Sequence, residues 1–255
     1  MKHDLKIVIL AAGRGKRLEV LGYNLPKPLV PIHGRPMISF LIDAVHEAAV
    51  DGEPIIVTAP DNRAQFCELL GENLCRFVVQ EKQLGTGHAV MCAQDEFNGA
   101  EHVMVLYGDH PTLRAETIKR LADEHRSSGA TLTMMTVKFP DYEGWRQWFF
   151  DFSRVIRGED GKIARTVERK DATAEELLIT EVNPCYFVFR RDWLCENVSL
   201  LTNKNAQGEY YLTDLIKLAF DQNQSIHTIM VDNAIEAIGI NTPEQLKAAE
   251  EALEN

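Results

Sequence analysis

The chain has 255 residues, of which 45% are hydrophobic and 25% charged, the proportions of a globular chain long enough to bury a sizeable core. With 27 basic residues against 38 acidic ones the net charge is -11, a mean field that repels phosphate and so excludes broad nucleic-acid or anionic-membrane binding. Any phosphate site must be a local exception to that field. Met1 to Asp4 run straight into a strand-like LKIVIL, too short for a signal peptide or a membrane span. The five cysteines form no CxxC pair and their number is odd. They read as small apolar residues in a reduced protein, and a cytoplasmic location is the expectation.

In chain order, the apolar run 5–10 predicts a buried strand. It ends in Ala11-Ala12-Gly13-Arg14-Gly15-Lys16-Arg17-Leu18, a small-residue turn with basic side chains. A turn of this kind at a sheet's carboxyl edge exposes main-chain N–H groups, and its glycines let an anion approach. It can equally be a tight turn with solvated cations. Leu18 stands where a dinucleotide fingerprint needs glycine, and the next strand ends in Thr58-Ala59-Pro60 with no acid for a ribose. The Walker pattern is absent as well. Pro26-Lys27-Pro28-Leu29 follows, and its prolines predict a stiff, extended segment that aims Lys27.

Apolar residues Met37, Phe40, Leu41, Ala44, Val45 and Ala48 recur at helical spacing and predict a helix over 37–48. Strands are expected at 54–59, 76–79 and 102–107, with helices starting near Thr86 and near Ala115. This alternation implies a mostly parallel sheet covered on both faces. From 131 the pattern turns to strands with short links, at 131–139, 153–157, 162–168 and 181–189, with a hairpin turn at 158–161. Helices are expected around 190–201 and 211–222, then a strand at 225–231. A closing helix opens on Thr242-Pro243-Glu244-Gln245, an N-cap, a proline at the first helical position and a capping-box glutamine. No Ser-His-Asp or Cys-His constellation is evident. The expectation is one α/β domain over 1–255 with a Rossmann-like, mixed and mostly parallel sheet.

These residues resemble the sugar-1-phosphate nucleotidylyltransferases, whose opening pattern is a strand, LAAGxGxRL and a PKxL segment. Gln80 to Ala89 looks like the pyrimidine-reading loop of the uridyltransferases, Tyr107-Gly108-Asp109 like the metal-binding turn, and Val167 to Thr173 like the sugar-binding segment. Asn205 to Asp214 is similar to the uridyltransferase domain of the bacterial bifunctional N-acetylglucosamine-1-phosphate uridyltransferases, and Gly239-Ile240-Asn241 matches the second metal-ligand segment. The resemblance covers almost the whole chain. It implies a nucleotide-diphospho-sugar transferase fold, with a nucleotide half over about 1–110 and a sugar half over about 111–255. It also implies UTP and a sugar 1-phosphate as partners, Mg²⁺ as cofactor, and no nucleic acid or membrane. The second, β-helical domain of the bifunctional enzymes has hexapeptide repeats. None occurs here, so no acetyl transfer is expected.

The resemblance also supplies roles. Arg17 would neutralise the triphosphate and Lys27 would hold the bridging phosphate. Leu10, Ala11, Ala12, Gly13, Gln80, Gly85, Thr86 and Asp109 would bind the nucleotide. Tyr107, Gly108, Ser153, Glu168 and Asn183 would face the sugar, and Asp109 and Asn241 would hold the metal ion. The sugar side departs from the family pattern: Ser153 replaces a glycine, and Asn183-Pro184-Cys185 stands in place of Asn-Thr-Gly. The aromatic run 145–150 is foreign to the pattern and is a cover on the sugar pocket, core or a subunit contact. The identity of the sugar stays open, with N-acetylglucosamine 1-phosphate leading. Another nucleotide, or a non-catalytic nucleotide-sugar sensor on the same fold, are the alternatives.

Overall fold

A computed structural model describes residues 4–13, 22–23, 25–71 and 74–254. In chain order its elements are β1 (Leu5–Leu10), β2 (Pro31–Ile32), β3 (Arg35–Pro36), α1 (Met37–Ala48), β4 (Ile55–Thr58), α2 (Arg63–Leu70), β5 (Arg76–Val79), α3 (Thr86–Cys92), β6 (His102–Tyr107) and α4 (Ala115–Ser128). There follow β7 (Leu132–Lys138), β8 (Ser153–Arg157), β9 (Ile163–Val167), β10 (Glu181–Asn183), β11 (Phe187–Arg190), α5 (Arg191–Asn197), α6 (Asp214–Asp221), β12 (Ile226–Met230) and α7 (Pro243–Leu253). The architecture is α/β.

One mixed sheet runs in the order β5-β4-β1-β6-β11-β7-β10-β8-β9, with β12 pairing on β7. Its first-half strands β5, β4, β1 and β6 are all parallel. Side chains alternate across the pleat. Ile7 and Ile9 of β1 join a core on one face with Leu41 and Val45 of α1, Ile118 of α4 and Leu246 of α7. Val8 and Leu10 join the other, with Val90 of α3, Leu194 of α5 and Leu215 of α6. Helices therefore cover both faces, and each fully buried aliphatic side chain contributes roughly 1.5–3 kcal/mol. The parallel strands bring their carboxyl ends to one edge, where ligands bind in open α/β sheets.

The segment expected as one strand over 181–189 is broken. Val182 pairs with Val137 and Phe187 with Met134, so five steps along this segment match three along β7. Cys185 lies in the slack at φ 67, a left-handed conformation that disfavours side chains. At this bulge the neighbour on the other side changes as well: β10 pairs with β8, and β11 with β6. The sheet forks there.

Other boundaries shift by a few residues, and the reading of the Lys27 segment needs correction. Lys27–Leu29 is a 3₁₀ turn rather than an extended segment, because Pro28 is tolerated in a first helical turn that needs no N–H from it. The helices expected at 190–201 and 211–222 shorten to α5 and α6, and α2 was not anticipated from its weak periodicity. The aromatic run 144–151 is a 3₁₀ segment that mostly builds core. Phe149 is fully buried, with Phe139 at 4.6 Å and Phe152 at 5.1 Å between ring centroids. Its rings also cover the buried Arg154, whose guanidinium stacks at 4.8 Å on Phe150 and 5.0 Å on Tyr142.

At the opposite end of β6, His125 is fully buried between Thr133 Oγ1 at 2.7 Å and His102 Nδ1 at 3.0 Å. Burial, with His102 and Arg126 adding to it, pushes its imidazole down to about 3. An unfolded histidine titrates near ~6.5, so the unfolded chain takes up a proton that the native chain refuses. Native stability is complete above that value and falls as the pH drops toward 3. Thermal unfolding followed from pH 7 to pH 4 should show a falling Tm that flattens in His125→Gln. An equal fall in the variant would assign the acid sensitivity to other groups.

Candidate active site

A cavity of about 520 Å³ opens at the carboxyl edge of the parallel strands. Leu10, Ala11, Ala12 and Gly13 line it from the end of β1, with Tyr107 and Asp109 from the end of β6. Gln80, Gln83, Gly85, Thr86 and Ala89 come from the β5–α3 region, Lys27 and Pro28 from the 3₁₀ turn, and Glu209 from the segment before α6. The expected nucleotide residues are thus gathered around one space. Arg17, with the rest of 14–21, lies outside the described residues.

Lys27 Nζ is paired with the Asp109 carboxylate and donates to Asn241 Oδ1 at 3.1 Å. Two oxygens from residues 132 positions apart thus converge on one cation. Burial pulls the Asp109 carboxyl up, but the ammonium of Lys27 outweighs it and holds it below the ordinary carboxylate range. Asp109 is ionised at neutral pH.

Local structure aims Asn241. The capping box of α7 forms as expected: Gln245 N–H donates to Thr242 Oγ1, and Gln245 Oε1 accepts from Thr242 N–H at 3.0 Å. The same Oε1 also accepts from Asn241 N–H at 2.7 Å. Asn241 Nδ2 donates to Gly239 O at 3.2 Å, which turns Oδ1 toward Lys27. Ile240 N–H donates to Asp109 O at 2.9 Å and ties the Asp109 and Asn241 segments together.

His110 was not anticipated. It is buried behind Asp109, with Nε2 3.6 Å from Asp109 Oδ1 and Nδ1 2.6 Å from the hydroxyl of Tyr186. That hydroxyl donates to Glu236 O, so Nδ1–H donates to the tyrosine oxygen. Burial lowers the imidazole's pKa and leaves it neutral. No motif in the sequence marks this relay, because its members lie 76 and 50 positions apart.

The sugar-side residues fall around the fork. Tyr107 lines the cavity, and the end of β6 that carries it lies beside the Cys185 bulge. Gly108 is needed for close approach, since a Cβ there would lie 3.3 Å from Ala11 Cβ and 3.2 Å from Ile38 Cδ1. Ser153 and Asn183 are directly paired across β8 and β10. Both are buried, and Ser153 Oγ and Asn183 Nδ2 have no hydrogen-bond partner among the described residues. Asn183 Oδ1 accepts from Cys185 N–H at 2.8 Å and holds the bulge. Glu168 Oε1 accepts from Thr213 Oγ1 at 3.0 Å, and burial raises the Glu168 carboxyl's pKa. Gly108, Ser153, Glu168, Asn183 and Asn241 are not among the residues lining the 520 Å³ cavity, and the aromatic run 145–150 is absent from its lining too.

The segment 205–214 braces both halves. Tyr210 N–H donates to Leu84 O at 2.8 Å, Gly87 N–H to Tyr210 O at 2.8 Å, and Leu212 N–H to Thr86 Oγ1 at 3.0 Å. On its other side Ala206 N–H donates to Asp171 Oδ1 at 2.8 Å, and Lys170 Nζ to Gln207 Oε1 at 2.9 Å.

Residues 7–210 match the model of the MobA-like NTP transferase domain. The chain belongs to that family. It is also similar to proteins named bifunctional protein GlmU: 37% identical over 254 residues to that of Caldicellulosiruptor saccharolyticus, covering 99% of this chain and 52% of the relative. The GlmU of Desulfotalea psychrophila is 36% identical, with 99% and 71% covered. That of Fervidobacterium nodosum is 39% identical, with 96% and 50% covered. The chain spans about half the length of the first and third of these relatives. A putative glucose-1-phosphate thymidylyltransferase from Bacillus anthracis superposes with a TM-score of 0.75 at 18% identity, covering 97% of this chain and 94% of that one, a likeness of fold. This chain is therefore a MobA-like NTP transferase domain protein, similar to the GlmU proteins over nearly its whole length. No helix among its described residues is long and apolar enough to cross a membrane.

Gly239 tests the support of this site. A Cβ there would lie 2.7 Å from His110 Nε2, and the ring cannot retreat while Tyr186 holds it. Gly239→Ala should cost about 1–3 kcal/mol of stability and lower turnover as the Asn241 loop shifts. An unchanged melting temperature would show that His110 yields freely.

Proposed function

We propose that the chain transfers a uridylyl group from UTP to a sugar 1-phosphate, giving a UDP-sugar and pyrophosphate, with N-acetylglucosamine 1-phosphate the leading acceptor. The observation that carries this reading is the Lys27 ammonium seated between Asp109 and Asn241 at a cavity floored by the Leu10–Gly13 main chain. A second support is the similarity to GlmU proteins over nearly the whole chain.

The donor set suits Mg²⁺. A carboxylate and an amide oxygen are hard ligands that converge on one point, and two protein oxygens leave room for waters and phosphate oxygens. When bound there, the ion would neutralise the triphosphate and polarise the reacting phosphate. Asp109 and Asn241 would hold it, and Lys27 would turn its ammonium to the phosphate that becomes bridging. Arg17 would neutralise the leaving pyrophosphate. The sugar phosphate oxygen that attacks the α-phosphorus is already ionised at neutral pH, so no general base is required. The work left to the protein is positioning and charge neutralisation.

Around the fork, Ser153 Oγ and Asn183 Nδ2 are polar atoms without a partner among the described residues, and Glu168 adds an acceptor. Such groups suit a polyhydroxylated acceptor better than an alcohol phosphate with a cationic head.

Pyrophosphate release measured on a panel of nucleoside triphosphates and sugar 1-phosphates tests the reading, with UTP and a hexosamine 1-phosphate expected to be fastest. Binding of a UDP-sugar with no turnover of any pair would leave a sensor in place of an enzyme. Arg17→Ala should lower kcat at least tenfold, about 1.4 kcal/mol or more, and an unchanged rate would remove it from the mechanism. Asp109→Ala should be inactive at any practical Mg²⁺ concentration. Normal activity in that variant would refute the metal assignment.

A further inference from the structure

One side-chain amide at the cavity is held in a single orientation. Gln80 follows β5, lines the cavity and is only 3% exposed. Its Nε2 donates to Gly85 O at 3.0 Å and lies 3.0 Å from His88 Nδ1. The Gly85 carbonyl cannot turn aside, because it also accepts Ala89 N–H at 3.1 Å as the first hydrogen bond of α3. Gly85 itself is wedged at φ 110 against Tyr210, where a Cβ would meet main-chain atoms at 2.7 and 2.8 Å. A carbonyl only accepts, so the amide atom facing it must be nitrogen.

His88 supplies the second constraint from one turn into the same helix. Cys92 Sγ lies 3.8 Å from the same Nδ1, and burial keeps its thiol protonated. Two donors therefore converge on Nδ1, which is the acceptor, and the ring proton sits on Nε2. With both N–H groups of Gln80 committed to α3, the atom of the amide left for a ligand is its carbonyl oxygen.

We propose that His88 is a positioning residue that sets the base preference: by keeping the Gln80 nitrogen turned inward, it presents an acceptor to the nucleobase and selects a pyrimidine with a ring N–H. Uracil and thymine carry that donor at N3, whereas cytosine carries a lone pair there, which the carbonyl oxygen repels. A free amide could turn either end to the base and would serve both. Loss of the Nδ1 acceptor strands one buried N–H of Gln80 and leaves the Gly85 carbonyl as the remaining partner that holds the nitrogen inward, so the preference for an N3 donor weakens. The inference rests on the nucleotidyl-transfer reading and narrows its nucleotide to bases with an N3 donor.

The test is the ratio of kcat/KM for UTP over CTP, which is independent of the fraction of folded enzyme. His88→Leu, which removes the acceptor, should lower the ratio at least tenfold. His88→Asn, which restores an acceptor oxygen near Nδ1, should keep it within about threefold of the parent, an order-of-magnitude allowance for one hydrogen bond. A ratio unchanged in His88→Leu, or lowered equally in both variants, would overturn the proposal. The same ratio read as Kd for UMP over CMP by calorimetry needs no turnover. Absence of pyrophosphate release in the parent would then count against the uridylyl reading, while the binding ratio still decides the role of His88.

Discussion

The site is organised around one cation held by two oxygens from distant parts of the chain. Lys27 reaches Asp109 and Asn241 at once, and that convergence requires the sheet edge, the 3₁₀ turn and the cap of α7 to meet. In a protein of net charge -11, a dense phosphate substrate is favoured only where fixed positive charge and main-chain N–H groups are concentrated. The parallel strands provide the place by ending together, and the segments that line the cavity begin where they end.

The support behind that contact is layered. Gln245 caps α7 and at the same time holds the Asn241 main chain, so a helix-stabilising motif also positions Asn241. Ile240 N–H ties the same loop to Asp109 O. Behind Asp109, neutral His110 and Tyr186 fill the space and fasten it to the Glu236 main chain. His110, Tyr186 and Gln245 are buried and bonded, so the support behind Asp109 and Asn241 is fixed before any substrate arrives, the condition under which electrostatic stabilisation is most effective.

The fork at Cys185 lies between the end of β6, which carries the cavity residue Tyr107, and the buried pair Ser153 and Asn183. A cysteine at φ 67 and a proline beside it occupy the point where strand partners change. A non-glycine residue in that region costs of order 1 kcal/mol, and the surrounding pairing with β6, β7 and β8 holds it there. The segment 205–214 spans from the base loop to Asp171, so the two halves of the site share one brace.

Much of the local structure was legible from residues alone. The alternation of β1 and β6, the stripe of α1, the hairpin turn at 158–161 and the capping box of α7 follow from periodicity and cap chemistry within a few residues. The order of the motifs also carried the resemblance that set Lys27, Asp109, Gln80 and Thr86 apart. What depended on tertiary structure was everything set by long-range contact. The bulge that breaks 181–189 arises from pairing with three strands, and α2 is held by packing of Phe66 and Leu70. The aromatic run became core because Arg154 and Phe139 meet it from other strands. The inward turn of Gln80 and the burial of His110 depend on partners that no spacing rule links, since hydrogen-bond direction is decided by which atoms the fold brings face to face.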